Sequence, residues 1–356
     1  AFTLLPEAPR RSILFAFWDA EEKGLFGSRH WVDHPTVPAD QVVCSLTLDM
    51  ISRLRDNRLT LFGSRTAYGL RRLASQNNDT AGLSIDFDWR LIANGDHHSF
   101  LKGHIPTLFA HTGTHEDYHR PNDDVELIDS DGMRQVTQML FAVAHDLANR
   151  EEAVRFREAS RGESSQTEQN LFGQELPSPL RLGASWDVEQ PSQPGVQISS
   201  IRADSAAAKA GIKPQDRIVK LAGREIHCGD DLVGAVCQAV NPASVTVIRP
   251  DSDEPLELSV ELDGEPLRLG ISWQADQAEP NTVVVINVVV GTPAAAAGLE
   301  TGDRIYQVAG RDFSGEDDFA KIVKTLPGPL SMLVERDGQL RNVVIHFELP
   351  AVRQAA

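Results

Sequence analysis

Apolar runs punctuate the first 150 residues of the chain. Residues 13–18 form one and end in acid at Asp19. Residues 42–48 form a second and end in acid at Asp49, and residues 106–110 form a third. Unbroken runs of this length predict strands of a sheet buried on both faces. A helix closes this part of the chain: Met133, Val136, Leu140, Val143 and Leu147 recur at i, i+3, i+7, i+10 and i+14, with Asp129 or Ser130 as N-cap. Strands alternating with helices predict an α/β sheet with helices on its faces. Residues 151–178 are instead rich in Glu, Arg, Ser and Gln, and read as a linker, helical at its start.

Beyond the linker the pattern repeats. Arg181-Leu182-Gly183 recurs as Arg268-Leu269-Gly270, Asp216-Arg217-Ile218 as Asp303-Arg304-Ile305, and Ala222-Gly223-Arg224 as Ala309-Gly310-Arg311. All three pairs share one offset of 87 residues (268 − 181, 303 − 216, 309 − 222), which predicts a tandem duplication of a small domain. In each unit Arg-Leu-Gly turns into a short strand, at 184–186 or 271–273. A small-residue helix follows at 205–210 or 292–297, closed by Gly211 or Gly298. A later amphipathic helix covers about 230–240 or 317–326. The organisation expected is a domain over 1–150, a linker over 151–178, and two repeats over 179–263 and 264–350.

Length and charge narrow the function classes. The 356 residues carry a net charge of −17, which argues against a nucleic-acid binder and against docking on anionic membranes. No apolar run reaches the length of a membrane span. Cys44, Cys228 and Cys237 cannot make a disulfide framework. The chain opens at Ala1 with no charged or apolar leader pattern, so the expectation is a processed or truncated chain whose site extends upstream.

The chemistry concentrates at strand ends. Asp19, Glu21 and Glu22 follow the first apolar run and Asp49 the second; ligand sites of open α/β sheets lie beyond the carboxyl ends of strands. Adjacent Glu21 and Glu22 point different ways, so one can bind a cation while the other faces a water as general base. Six of the eleven histidines (His97, His98, His104, His111, His115 and His119) fall within 97–119, beside Asp96, Glu116, Asp117, Asp123 and Asp124. Imidazole and carboxylate together suit zinc. His30 and His34 have the i, i+4 spacing of a zinc helix, but lack the Glu of the HExxH pattern and read as surface residues.

Four blocks in order resemble the M28 family of zinc peptidases: Phe15-Ala16-Phe17-Trp18-Asp19-Ala20-Glu21-Glu22, Leu48-Asp49-Met50-Ile51, Asp96-His97, and Asp117-Tyr118-His119-Arg120-Pro121-Asn122-Asp123. The resemblance implies a three-layer α/β/α zinc-peptidase sheet, incomplete at its N-terminus, with Glu21 as the catalytic base. It assigns Glu22 and His119 to one zinc, Asp49 to a second, and Asp96 to a second-shell or substrate-facing role. The family's His-x-Asp segment and bridging Asp have no counterpart in these residues. The repeats resemble PDZ domains, small and β-rich. That resemblance implies capture of C-terminal peptides, with the loops at Arg181, Gly183, Arg268 and Gly270 receiving the carboxylate. The combined expectation is a zinc-dependent aminopeptidase acting on peptides or proteins, with tandem PDZ domains and an extracytoplasmic location. A glutaminyl cyclase, which uses one zinc, and a non-catalytic PDZ scaffold are the alternatives.

Overall fold

A computed structural model describes residues 1–172, 181–187 and 193–347. It divides into two units. The first contains Ala1–Leu171 together with Ala275–Thr282 and Glu335–Arg341. The second contains the described residues of Phe172–Gln274, Val283–Val334 and Asn342–Ala356.

The first unit is built on four strands: β1 (Ser45–Leu48), β2 (Arg58–Phe62), β3 (Ser84–Asp86) and β4 (Thr107–His111). Their order is β1-β4-β2-β3. Strands β1 and β4 are parallel, pairing Ser45 with Thr107 and Leu48 with Ala110. Strands β2 and β3 are also parallel, while β2 and β4 are antiparallel, with Phe62 opposite Phe109. The helices are α1 (Phe26–Asp33), α2 (Leu70–Gln76), α3 (His97–Lys102), α4 (Ser130–Asn149) and α5 (Ser165–Phe172).

Alternation along the central strands creates three layers. Leu59, Leu61, Leu108 and Ala110 point to one face, where they pack with Leu70 and Leu73 of α2 and with Val136, Met139, Leu140, Val143 and Leu147 of α4. Phe62 and Phe109 point to the other, where the His97 ring of α3 stacks on Phe109 at 4.4 Å. The α4 stripe is the one the sequence pattern predicts. Asp129 caps its start, accepting a hydrogen bond from the Gly132 amide at 2.9 Å. After β2 the chain passes so close to β4 that a Cβ on Gly63 would lie 2.3 Å from the Thr107 carbonyl oxygen, and the φ of +80° there also favours glycine.

Two expectations need correction. Residues 13–18 do not form a strand; Leu14, Phe15 and Phe17 are 57, 69 and 96 % exposed. Apolar character makes a strand only where a neighbour satisfies its backbone groups, and among the described strands none pairs with this run. Trp18 is anchored by ring contacts with Trp31 and Phe100, and the Phe15 ring meets Phe2. The described part of the expected linker, in turn, belongs largely to the first unit. There the Arg157 amide bonds the Thr66 carbonyl at 2.7 Å, and the buried Arg157 guanidinium pairs with Glu163 at 2.7 Å. Residues 173–178 lie outside the described residues.

In the second part of the chain β5 (Ala184–Trp186), β6 (Val196–Ile201), β7 (Arg217–Leu221), β8 (Arg224–Glu225), β9 (Ala243–Arg249) and β10 (Ser252–Val260) form one sheet of order β10-β9-β7-β6-β5, with β8 on β7. Its helices are α6 (Ala206–Ala210) and α7 (Gly229–Gln238). The second repeat carries β11 (Ile271–Ala275), β12 (Val283–Val288), β13 (Arg304–Val308), β14 (Leu330–Arg336) and β15 (Gln339–Ile345) in sequential order, with α8 (Pro293–Ala296) and α9 (Gly315–Thr325). Each repeat has its own core, one around Ile198, Leu232 and Val247 and the other around Ile305, Phe319 and Met332.

Candidate active site

Glu21 and Glu22 open a 3-10 turn, Glu21–Lys23, entered through Ala20 at φ +57°. Asp49 follows β1, and Met50 after it has φ +52°. Asp96 stands at the N-cap of α3. His119 lies in the loop after β4, itself at φ +57°. Left-handed backbone at Ala20, Met50 and His119 costs energy in non-glycine residues and tends to cluster at functional sites.

These segments converge. The His119 Nε2 and Glu22 Oε1 atoms are 2.9 Å apart. Burial raises the Glu21 carboxyl above its ordinary value, and the charges of Glu22, Asp96 and Asp49 raise it further, against a smaller opposing effect of His119. Burial also raises Asp96, opposed by a hydrogen bond from Ser28 and reinforced by Asp49. One Asp96 oxygen, Oδ1, is buried without a hydrogen-bond partner. Four carboxylates thus share one neighbourhood with one imidazole. Glu21 and Asp96 therefore hold their protons more tightly than ordinary carboxyls.

Other histidines of the 97–119 cluster are engaged elsewhere. His97 is fully buried against Phe109, and burial pushes its pKa down to about 4. His104 pairs with Glu158, His111 Nδ1 accepts from the Gly113 amide, and His115 lies 3.7 Å from Asp123. His30 and His34 stack on each other at the end of α1.

Sequence reasoning missed two residues that position the site. Arg53 pairs with Asp117 and Asp123, tying the loop that carries His119 to the segment that carries Asp49. Ser28 on α1 meets the Ser99 hydroxyl at 2.8 Å, tying α1 to α3. A signal for Arg53 was its place four residues after Asp49; Ser28 gave none.

In the repeats, Gly183 and Gly270 have φ of +70° and +81°, and a Cβ there would lie within 2.3 Å of Ser205 or Thr292. The arginines of the same loops do not serve as expected. Arg181 is 4 % exposed, and its guanidinium donates to the carbonyls of Val236, Cys237, Ala239, Asp263 and Gly264. Arg268 donates to the Val323 carbonyl and lies over the Phe347 ring. Both guanidiniums thus satisfy carbonyls at the C-terminal ends of α7 and α9, where helices leave acceptors unpaired and favour positive charge. Both guanidiniums therefore have a hydrogen-bonded structural role.

The profile of peptidase family M28 matches residues 2–144, and PDZ-domain profiles match residues 180–262 and 257–335. The chain carries an M28 peptidase segment followed by two PDZ domains. Among curated relatives, the periplasmic serine endoprotease DegP of Escherichia coli K12 is 28 % identical over 185 residues, covering 49 % of this chain and 38 % of its own length. The regulator of sigma-E protease RseP of the same organism is 30 % identical over 169 residues, covering 44 % and 37 %. The chain therefore spans about two-fifths of the length of these relatives. Among solved structures, the LapA aminopeptidase of Legionella pneumophila is 25 % identical with a TM-score of 0.35, covering 38 % of this chain and 39 % of its own. A zinc aminopeptidase from Bacillus subtilis is 20 % identical with a TM-score of 0.33, covering 40 % and 37 %. The M28 segment has the mixed α/β architecture expected of it, and the PDZ domains are β-rich. No helix among the described residues is long and apolar enough to cross a membrane.

Proposed function

We propose that the M28 segment contributes the catalytic base and part of the metal site of a zinc-dependent aminopeptidase. The observation carrying this reading is the 2.9 Å approach of Glu22 Oε1 to His119 Nε2, beside a Glu21 carboxyl that feels the charges of Glu22, Asp96 and Asp49. Carboxylate oxygen and imidazole nitrogen are zinc-type donors, so the pair fits one edge of a zinc ligand set. Glu22 and His119 would hold one ion and Asp49 the second. Among the described residues no group of three or more His, Cys, Asp or Glu side chains is arranged to hold a metal ion. Zinc held there would supply Lewis-acid polarisation of the scissile carbonyl and of a water.

The chain's own residues supply the proton chemistry. The Glu21 carboxylate takes a proton from the water as its oxygen bonds to the peptide carbonyl carbon. The same carboxyl returns that proton to the leaving amine nitrogen. Asp96, at the N-cap of α3, would orient the substrate. The PDZ domains offer the edges of β5 and β11 for strand addition by a peptide C-terminus, with loop amides near Gly183 and Gly270 receiving its carboxylate. An extracytoplasmic location accompanies this reading.

The test is substitution in the protein as its gene encodes it. Glu21→Gln is expected to keep zinc and lower peptide hydrolysis by orders of magnitude, whereas Glu22→Gln is expected to weaken zinc binding itself. Full zinc content together with normal hydrolysis in the Glu22 variant would end the assignment.

A further inference from the structure

The first unit includes two segments distant in sequence, Ala275–Thr282 and Glu335–Arg341. Both fall in or directly after the second PDZ match. They meet the M28 segment along α2 and β3 through paired charges. Arg65 Nη1 lies 2.7 Å from Asp276, and its other nitrogens hold Glu163. Arg71 grips Glu335 with two bonds of 2.7 and 3.1 Å, and the Glu335 side chain is fully buried. The guanidiniums lie over Trp89 and Phe87 respectively.

Backbone groups complete the junction. Glu279 accepts from the amides of Arg71 and Arg72, donors that the first turn of α2 leaves unpaired. The Gly69 amide bonds the Ala278 carbonyl, and the Ile85 amide on β3 bonds the Asp337 carbonyl at 2.7 Å. Asn78 donates to the carbonyls of Leu83 and Gly338. A Cβ on Gly338 would lie 2.6 Å from Ile85, so the turn lies directly against β3.

At the 87-residue offset, Glu279 and Glu335 correspond to Ser192 (279 − 87) and Ile248 (335 − 87) in the first repeat. Two of the three acids thus have no acidic counterpart in the first repeat, while Asp276 is matched by Glu189 (276 − 87).

We infer that loop 275–282 and turn 335–341 form an interaction surface whose partner is this chain's own 65–89 segment, so that residues distant in sequence complete the first unit. A buried, fully bonded charge pair becomes strongly unfavourable when one member is removed. The docking therefore holds α2 and β3 in place and does not depend on peptidase or peptide-binding activity.

Backbone hydrogen exchange on the whole chain tests it. Glu279→Gln and Glu335→Gln should each speed exchange of α2 and β3 amides by about tenfold or more, while β12 and β13 keep their protection. Unchanged α2 and β3 exchange in both variants would overturn the inference. Should Glu335→Gln unfold the chain, the double variant Arg71→Met with Glu335→Met removes both charges together, and protection should return toward the parent level. A double variant no better than the single one would equally overturn it.

Discussion

The start of the M28 segment and the PDZ repeats use similar apolar patterns to opposite ends. Among the first 26 residues Leu4, Leu14, Phe15, Phe17 and Phe26 are all more than half exposed. Phe319, in the second repeat, and Leu232, in the first, are fully buried. The difference lies in strand partners. Each repeat brings its strands together within its own stretch of chain, so every apolar strand finds a neighbour. The four-strand sheet ends at β1, and the 13–18 run has no partner strand among the described residues. Burial is thus a property of the pairing scheme as much as of the residues, and an unpaired apolar run is an aggregation hazard.

Truncation of one phenylalanine in each region would break this contrast most directly. Phe319→Ala should cost about 3–5 kcal/mol, since the side chain is fully buried among Phe313, Trp273 and Val323. Phe17→Ser should change stability by no more than about 0.5 kcal/mol and improve solubility. Urea titrations and light scattering of both variants report this, and equal destabilisation by the two would refute the contrast.

Glycine loops sharpen it at a smaller scale. Gly270→Ala forces a methyl into Thr292 at 2.2 Å as well as a left-handed backbone, and should cost about 2–3 kcal/mol. Gly211→Ala has similar backbone, φ +82°, but open space, and should cost only about 1 kcal/mol. Denaturation midpoints of the two variants separate crowding from backbone strain.

In the first unit the corresponding lever is pH. Burial alone would raise the Glu163 carboxyl, but hydrogen bonds and charge from Arg65 and Arg157 outweigh it and hold it below its ordinary 4.5. A carboxylate depressed on folding adds stability at pH values above its unfolded pKa. That stability is lost as pH falls through the folded value. The melting temperature should therefore decline below about pH 4.5. Glu163→Gln, already lacking the charge, should converge on the parent in acid and fall behind it at neutral pH.

Legibility differed between regions for physical reasons. The repeats were readable because glycine turns, capping residues and core spacing recur at one offset, and local pattern decides local structure there. Helix α4 was readable for the same reason. The 13–18 run failed because its pattern specifies burial but not a partner, which is a non-local fact. Strands β2 and β3 were missed because Arg58 and the short 84–86 segment break the apolar runs. Within the candidate site, Glu22 and His119 were named from sequence and meet in the structure, while Arg53, which holds the His119 loop through Asp117 and Asp123, carries no motif. The arginines of the PDZ loops misled because a cation beside a glycine turn looks the same whether it faces a ligand or caps a helix.

The smallest expected effect concerns the thiols of the first repeat. Cys237 sits on α7, 1 % exposed, with its own carbonyl bonded by Arg181 at 3.2 Å. Burial pushes its thiol from 9.0 up to about 11, against a weaker opposing pull from Arg181. Two pH units (11 − 9.0) mean about a hundredfold less thiolate at pH 8 than an ordinary cysteine would have. Packing slows reagent access as well, so Cys237 should stay unalkylated in the folded chain while exposed Cys228 reacts. The same Cys237 should react readily in urea. Peptide mapping after brief iodoacetamide treatment measures both sites. Equal labelling of Cys228 and Cys237 without denaturant would mean that α7 opens far more often than a closed core permits. The contrast drawn between the repeats and the start of the M28 segment would then lose its basis.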